Sequence, residues 1–167
     1  MATAPQPDRT ELKLVRRGDA QRIARMSRDL VEHGLPWTWT AQRVTTHIRG
    51  RDSNVLGAWY EERLVGFAIM QFYAERAHLN LLAVDPVHRR LGLGRRLLAW
   101  LEKTARTGGL SCITLEVRAV NDTAQAFYRR LGYRAIASIP GYYAGRETAI
   151  RMRRDLSPGD GAPHQQP

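Results

Sequence analysis

The segment Leu81–Arg96, LLAVDPVHRRLGLGRR, constrains the fold more than any other stretch of the chain. An apolar run stops at Asp85-Pro86, a turn carrying two arginines follows, and two glycines open the apolar stripe Leu93, Leu97, Leu98 and Leu101. An extended apolar run closed by proline and followed by a helical period reads as a strand feeding a helix. Such a junction is an anion site, because the first amides of a helix have no internal partner and the helix dipole favours negative charge there. Gly92 and Gly94 remove β-carbons that would hold a phosphate away, while Arg89, Arg90 and Arg95 add positive charge. Two common nucleotide motifs do not apply. There is no Gly-Lys-Ser/Thr, and Gly92-Leu-Gly94 is followed by Arg-Arg-Leu, which lacks the third glycine of a dinucleotide fingerprint.

The other elements can be placed around this junction. Leu12 and Leu14 mark a first strand, and Asp19 is placed to cap a helix with the stripe Ile23, Met26, Leu30 and Val31, stopped by Gly34. Thr40 caps a second short helix through Val44 and Ile48. Strands over 54–60 and 64–73 flank a charged turn at Glu61–Arg63, and a third covers 77–84. After the helix at Leu93, Ile113, Leu115 and Val117 alternate with Thr114, Glu116 and Arg118 as a half-buried strand does. Ala124, Phe127, Tyr128 and Leu131 form a last helical stripe closed by Gly132, and two strands surround Pro140–Gly145. The order β-α-α-β-β-β-α-β-α-β-β implies an α/β fold with a mixed sheet and helices on both faces. At 167 residues the chain suits one domain, over 11–156. Residues 1–10 and 157–167, rich in Pro, Gly and polar residues, read as mobile tails.

The net charge of +10 calls for an anionic partner. Apart from Lys13 and Lys103 the basic residues are all arginine, and they are scattered rather than gathered on one helix. With no Cys/His finger and no aromatic-rich ribonucleoprotein motif, direct nucleic-acid recognition is disfavoured, and a polyanionic ligand accounts for part of the charge. The single cysteine, Cys112, reads as a buried thiol, and the five histidines show no metal-ligand spacing, so no metal is expected. No run reaches the ~18 apolar residues of a membrane span and Met1–Arg9 has no signal-peptide core, which suits a reducing cytoplasm. Nothing in the pattern fixes an oligomeric state.

Arg89-x-x-Gly92-x-Gly94, preceded by its strand, resembles the pyrophosphate-binding signature of the GNAT acetyltransferase superfamily. Leu115–Tyr133, LEVRAVNDTAQAFYRRLGY, is similar to the ribosomal-protein alanine acetyltransferase (RimI) branch. So are Gly141–Met152 with its paired tyrosines and Gly-Arg-Glu run, and Pro36-Trp37 in the substrate-side loop. The likeness is dense from Leu79 to Met152. It implies a GNAT-like, mostly antiparallel sheet and acetyl-CoA as co-substrate. By analogy Leu82, Ala83 and Val84 lie along the pantetheine arm, with Leu82 and Val84 pairing to it through their backbones. Arg89, Arg90, Leu91, Gly92, Leu93, Gly94 and Arg95 surround the pyrophosphate, and Asn121 and Ala124 adjoin the arm. Asn121 is also a good helix N-cap.

The resemblance further implies that Glu116 is the general base and that Tyr128 faces the thioester sulfur. Trp37, Tyr142 and Tyr143 would lie beside the acceptor. The implied reaction is direct attack of a neutral amine, with no acyl-enzyme. An α-amine, with pKa near 7.8, is neutral far more often than lysine near 10.4, a difference of about 3.5 kcal/mol. Glutamate, near 4.3, is a weak base unless burial raises its pKa or water relays the proton. Tyr128 as a phenol is a weaker acid than a thiol, so its role can be a hydrogen bond to the developing thiolate. The branch points to a protein N-terminal α-amine. Two departures, Leu81 in place of a polar residue and Thr148 in place of an acidic one, keep open a small-molecule amine such as a polyamine or an aminoglycoside. A non-catalytic acyl-CoA-binding module is the third reading, and the joint presence of Glu116, Asn121 and Tyr128 argues against it.

Overall fold

The computed structural model of the protein describes residues 9–156, so most of both expected tails lies outside the described residues. Thr10 already belongs to the first strand and is buried. The strands are β1 (Thr10–Leu14), β2 (Ser53–Tyr60), β3 (Arg63–Phe72), β4 (Arg76–Val84), β5 (Cys112–Arg118), β6 (Arg134–Tyr143) and β7 (Glu147–Asp155). The α-helices are α1 (Ala20–Met26), α2 (Ala41–Arg49), α3 (Leu93–Thr107) and α4 (Asp122–Arg130). They follow one another in the order read from the sequence. All seven strands form one sheet, β1-β2-β3-β4-β5-β7-β6, antiparallel except for the β4–β5 pair.

Two apolar clusters sandwich the sheet. Ile23, Ala24, Trp39 and Val44 of the α1–α2 side pack on Val55, Phe67, Ile69, Leu81 and Ala83. On the opposite face Leu93, Leu97, Leu98 and Leu101 of α3 and Tyr128 of α4 pack on Leu56, Ala68, Met70, Leu79, Ile113, Leu115 and Met152. β2 and β3 are therefore buried on both faces, which is why they read as near-continuous apolar runs.

The α3–α4 side also holds a polar knot. Glu102 of α3 accepts a hydrogen bond from Tyr133 Oη at 3.0 Å and pairs with Arg154 Nη1 of β7 at 2.8 Å. Burial first, then the Glu102 carboxylate, push the Tyr133 phenol above its ordinary range. Replacing Glu102 by Leu leaves a buried hydroxyl and a largely covered guanidinium without their acceptor. The expected cost is about 3 kcal/mol, checked as a shift in the urea unfolding midpoint.

Three local features differ from the sequence reading. The first helix is α-helical only to Met26 and finishes as a π-helical turn, Ser27–Val31, before Gly34 at φ +78°. Asp19 precedes it, but its carboxylate accepts from the Arg16 amide at 3.2 Å instead of capping α1. β6 runs through Pro140 and Gly141 to Tyr143, where a break at Pro140 was expected. An edge strand can carry proline, because the missing N–H falls on the side that has no neighbour.

Candidate active site

The β4–β5 pairing extends only from Arg76↔Cys112 to Leu79↔Leu115, and beyond Leu79 the two strands part. A bulge marks the point of parting. Met70 pairs with Leu79 and Ile69 with Leu81, so Asn80 is the extra residue on β4. It also inverts the strand: Ala77 and Leu79 face the α3–α4 cluster, whereas Leu81 and Ala83 face the α1–α2 cluster. A cleft of ≈ 540 Å³ fills the parting. Leu82, Glu116, Asn121, Ala124, Tyr128, Tyr142 and Tyr143 all line it, so seven of the residues singled out in the sequence meet around one cleft.

Glu116 sits on β5 with its side chain 8% exposed, its Oε2 2.8 Å from His78 Nε2 and its Oε1 2.9 Å from Arg151 Nε. Burial acts first on this carboxyl and pushes its pKa up. The hydrogen bonds and charges of His78 and Arg151 outweigh that effect, so it lies below the ordinary carboxylate value. Tyr128, on α4, is packed edge-on against Phe127 at 5.1 Å and Tyr133 at 5.7 Å. Burial, with Tyr143 second, raises its pKa well above that of a free phenol, so the hydroxyl keeps its proton. Asn121 caps α4 by accepting from the Ala124 amide at 3.1 Å. Tyr142 and Tyr143, on the last turn of β6, meet edge to face at 4.9 Å, and Tyr142 is half-exposed.

The glycine turn lies at the other end of β4. Asp85 accepts from the Val87 amide at 3.0 Å and closes a 3-10 turn over Pro86–His88. Arg90 at φ +63° and Gly92 at φ +75° then swing the chain into α3. Gly92 is the N-cap of this fifteen-residue helix and has no side chain to accept from the first-turn amides. Leu91 and Leu93 pack into the core beneath the turn, which leaves its backbone as the outward surface. Arg89 folds back, its Nε donating to the Val84 carbonyl at 3.1 Å. A β-carbon on Gly94 would stand 3.3 Å from Phe127 Cζ, so this glycine also lets α3 approach α4. An uncapped helix start beside arginines and a strand edge left by β5 together fit a long ligand ending in a pyrophosphate.

Trp37 stands apart from the lining. Its ring is exposed, lies under Arg28 at 5.5 Å, and donates through Nε1 to the Trp39 carbonyl, while its neighbours Pro36 and Thr38 reach the cleft. Several contributors were not singled out from the sequence. Glu32 is buried and accepts from the Thr38 amide at 2.7 Å, Thr38 Oγ1, the Trp39 amide at 3.2 Å and Ser27 Oγ at 3.4 Å, pinning the α1–α2 loop. Arg118 binds Glu147 through two nitrogens and donates to the His33 carbonyl at 2.7 Å, tying β5 and β7 to the same loop. Arg43 reaches the cleft from α2, stacked at 3.9 Å on Trp39. For Arg118 a signal existed, since it shares a strand face with Glu116. For Glu32, His78 and Arg151 there was none, because each is joined to its partners only by the tertiary fold. Among the described residues no group of three His, Cys, Asp or Glu side chains could hold a metal, and no helix is long and apolar enough to cross a membrane.

Comparison with known proteins agrees with this geometry. The acetyltransferase (GNAT) family model matches residues 23–133. The [ribosomal protein bS18]-alanine N-acetyltransferase of Escherichia coli K12 is 40% identical over 128 residues, covering 75% of this chain and 84% of that protein. The N-alpha-acetyltransferase RimI of Mycobacterium tuberculosis is 33% identical over 144 residues, covering 83% and 88%. The crystal structure of the ribosomal-protein-S18-alanine N-acetyltransferase from Escherichia coli superposes with a TM-score of 0.77 at 28% identity, over 94% of this chain and 98% of that one.

Proposed function

The chain belongs to the acetyltransferase (GNAT) family, and on that premise we propose that it transfers an acetyl group from acetyl-CoA to the α-amine of a protein N-terminus. The two relatives named above, at 40% and 33% identity, are an alanine N-acetyltransferase and an N-alpha-acetyltransferase by name, and this chain spans 84% and 88% of their length. One observation carries the chemical reading. Two carboxylates line the cleft: Glu32 is held by amides and hydroxyls of its own loop, whereas Glu116 is held by Arg151 and by the imidazole of His78, so of the two it is the one backed by a second base.

Acetyl-CoA supplies the acetyl group as a thioester, which a neutral amine can attack directly. The first-turn backbone of α3, from Gly92 to Arg95, and the β4 edge at Leu82–Val84 would hold it, with Arg90 and Arg95 adding charge. Asn121 commits its side-chain oxygen to Ala124, so its amide NH₂ is what it offers a ligand. Tyr128, kept protonated by burial, serves as a hydrogen-bond donor to sulfur rather than as an acid that gives its proton away. Glu116 takes the proton that the acceptor must lose. Because it is a weak base, the site suits an α-amine better than a lysine, whose proton costs about 3.5 kcal/mol more to remove.

The test is thiol release from acetyl-CoA with a panel of peptides, polyamines, lysine peptides and aminoglycosides. Turnover is expected with peptides bearing a free N-terminus and is lost when that terminus is blocked. Turnover confined to polyamines or aminoglycosides would overturn the peptide reading.

A further inference from the structure

A second pocket of ≈ 440 Å³ lies beside the cleft, lined by Tyr73, Arg76, His78, Cys112, Thr114, Glu116, Arg151 and Arg153. Of the two linings, Glu116 is the residue they share. His78 comes from β4 below the Asn80 bulge, where the β4–β5 ladder is still intact, and is registered opposite Thr114. Its Nε2 is 2.8 Å from Glu116 Oε2 and its Nδ1 is 2.8 Å from Thr114 Oγ1. A carboxylate facing the cleft thus has an imidazole directly behind it, 20% exposed and facing the second pocket.

We propose that His78 is the terminal proton acceptor of a Glu116–His78 pair, which passes the acceptor's proton from the cleft to the second pocket. The proposal rests on the N-acetyltransferase reading. The acceptor's N–H bond breaks as its proton bonds to a Glu116 oxygen, and the nitrogen keeps the electron pair. That O–H bond then breaks as the proton bonds to His78 Nε2, giving a carboxylate beside an imidazolium. The tautomer that can do this carries its own proton on Nδ1, donated to Thr114 Oγ1, whereas the tautomer that holds the resting carboxylate donates Nε2–H to Glu116. The ring then gives its Nδ1 proton through Thr114 Oγ1 to water in the second pocket, and rotation of the ring turns the free nitrogen back toward Glu116 for the next proton.

One physical reason supports the pair over the carboxylate alone. Imidazole as a group is about two pKa units more basic than a carboxylate, closer to the neutral pH at which a base works best. The ring shares its pocket with several charged groups. Arg76 on β4 and Arg151 and Arg153 on β7 face the same pocket, with Tyr73 and Cys112 as further titratable groups. Arg151 is paired with Glu116 and Arg153 with Asp155. From β3, Gln71 is registered opposite His78 and donates to Asp52. From the π-helical turn the cleft receives Leu30 and Val31, while Arg28 and Asp29 pair with each other at the surface.

His78 acts through Glu116, so the test needs a readout that lost packing would not move. In the full chain, His78→Gln should lower kcat roughly 10-fold or more near neutral pH and remove the limb of the pH–rate profile in the imidazole range, with the KM for acetyl-CoA unchanged. A uniform loss with the profile's shape preserved would mean a merely structural role and overturn the relay. The ring titration of His78, followed by NMR in wild type and in Glu116→Gln, provides an arm independent of turnover. Loss of the carboxylate should move the ring's titration to lower pH, and an unmoved titration would overturn the pair. If no acceptor turns over, the activity reading fails on its own, and the ring titration still decides whether the two groups share a proton.

Discussion

Replacing Glu116 by glutamine should reduce kcat roughly 10²–10³-fold at neutral pH, the range for removal of a positioned base. The change is nearly isosteric, and it takes away the charge while keeping an oxygen for Arg151. Acetyl-CoA affinity should hold within about twofold, because the residues placed against the ligand's long arm and pyrophosphate lie elsewhere on β4 and α3. Single-turnover kinetics and calorimetry on the same variant separate the two quantities, and unaltered turnover would remove Glu116 from the proton path. A second consequence follows from its electrostatics. His78 and Arg151 hold the Glu116 carboxyl below its ordinary pKa despite burial. A depressed folded pKa adds stability above the unfolded value, near 4.3, and that stability is lost as pH falls through the folded value. Wild type should therefore lose part of its stability on acidification that Glu116→Gln does not lose, visible as urea midpoints that converge below about pH 4.

The element order, the glycine turn before α3 and the strand bearing Glu116 were legible because each rests on local pattern. Period-2 alternation exposed β5, and the glycines after Asp85-Pro86 exposed the β4–α3 junction. The cleft itself was not legible, because its opening depends on one inserted residue. Read by strict alternation, Leu79 and Leu81 belong to one face of β4, yet the Asn80 bulge turns them to opposite clusters. Nothing in an apolar run distinguishes a bulged strand from a regular one. The partners of Glu116 were hidden for a different reason. His78 lies 38 residues before it and Arg151 lies 35 after it, and only the β4-β5-β7 order makes them neighbours. The Gly-Arg-Glu run was visible in the sequence, but its physical role, the clamp of Glu147 on Arg118, required the fold.

Gly94→Glu should weaken acetyl-CoA binding by about 100-fold or more. A carboxylate placed on the first turn of α3 faces the charge that this helix start is proposed to hold. Two unit charges about 6 Å apart at an effective dielectric near 20 repel by about 3 kcal/mol, roughly a factor of 100 in affinity. That penalty should shrink as salt rises, because screening acts on exposed charges. The same substitution also brings a β-carbon to 3.3 Å from Phe127 Cζ, so charge and packing must be separated. Gly94→Ala adds the β-carbon without the charge, and calorimetric titration of both variants at two salt concentrations isolates the electrostatic part. A large, salt-sensitive gap between them would place the pyrophosphate at the amides from Gly92 to Arg95. If alanine costs as much as glutamate, Gly94 is there to let α3 rest on α4. The anion must then be held by the turn around Arg90 and Gly92, where the left-handed backbone at φ +63° and +75° already turns the chain.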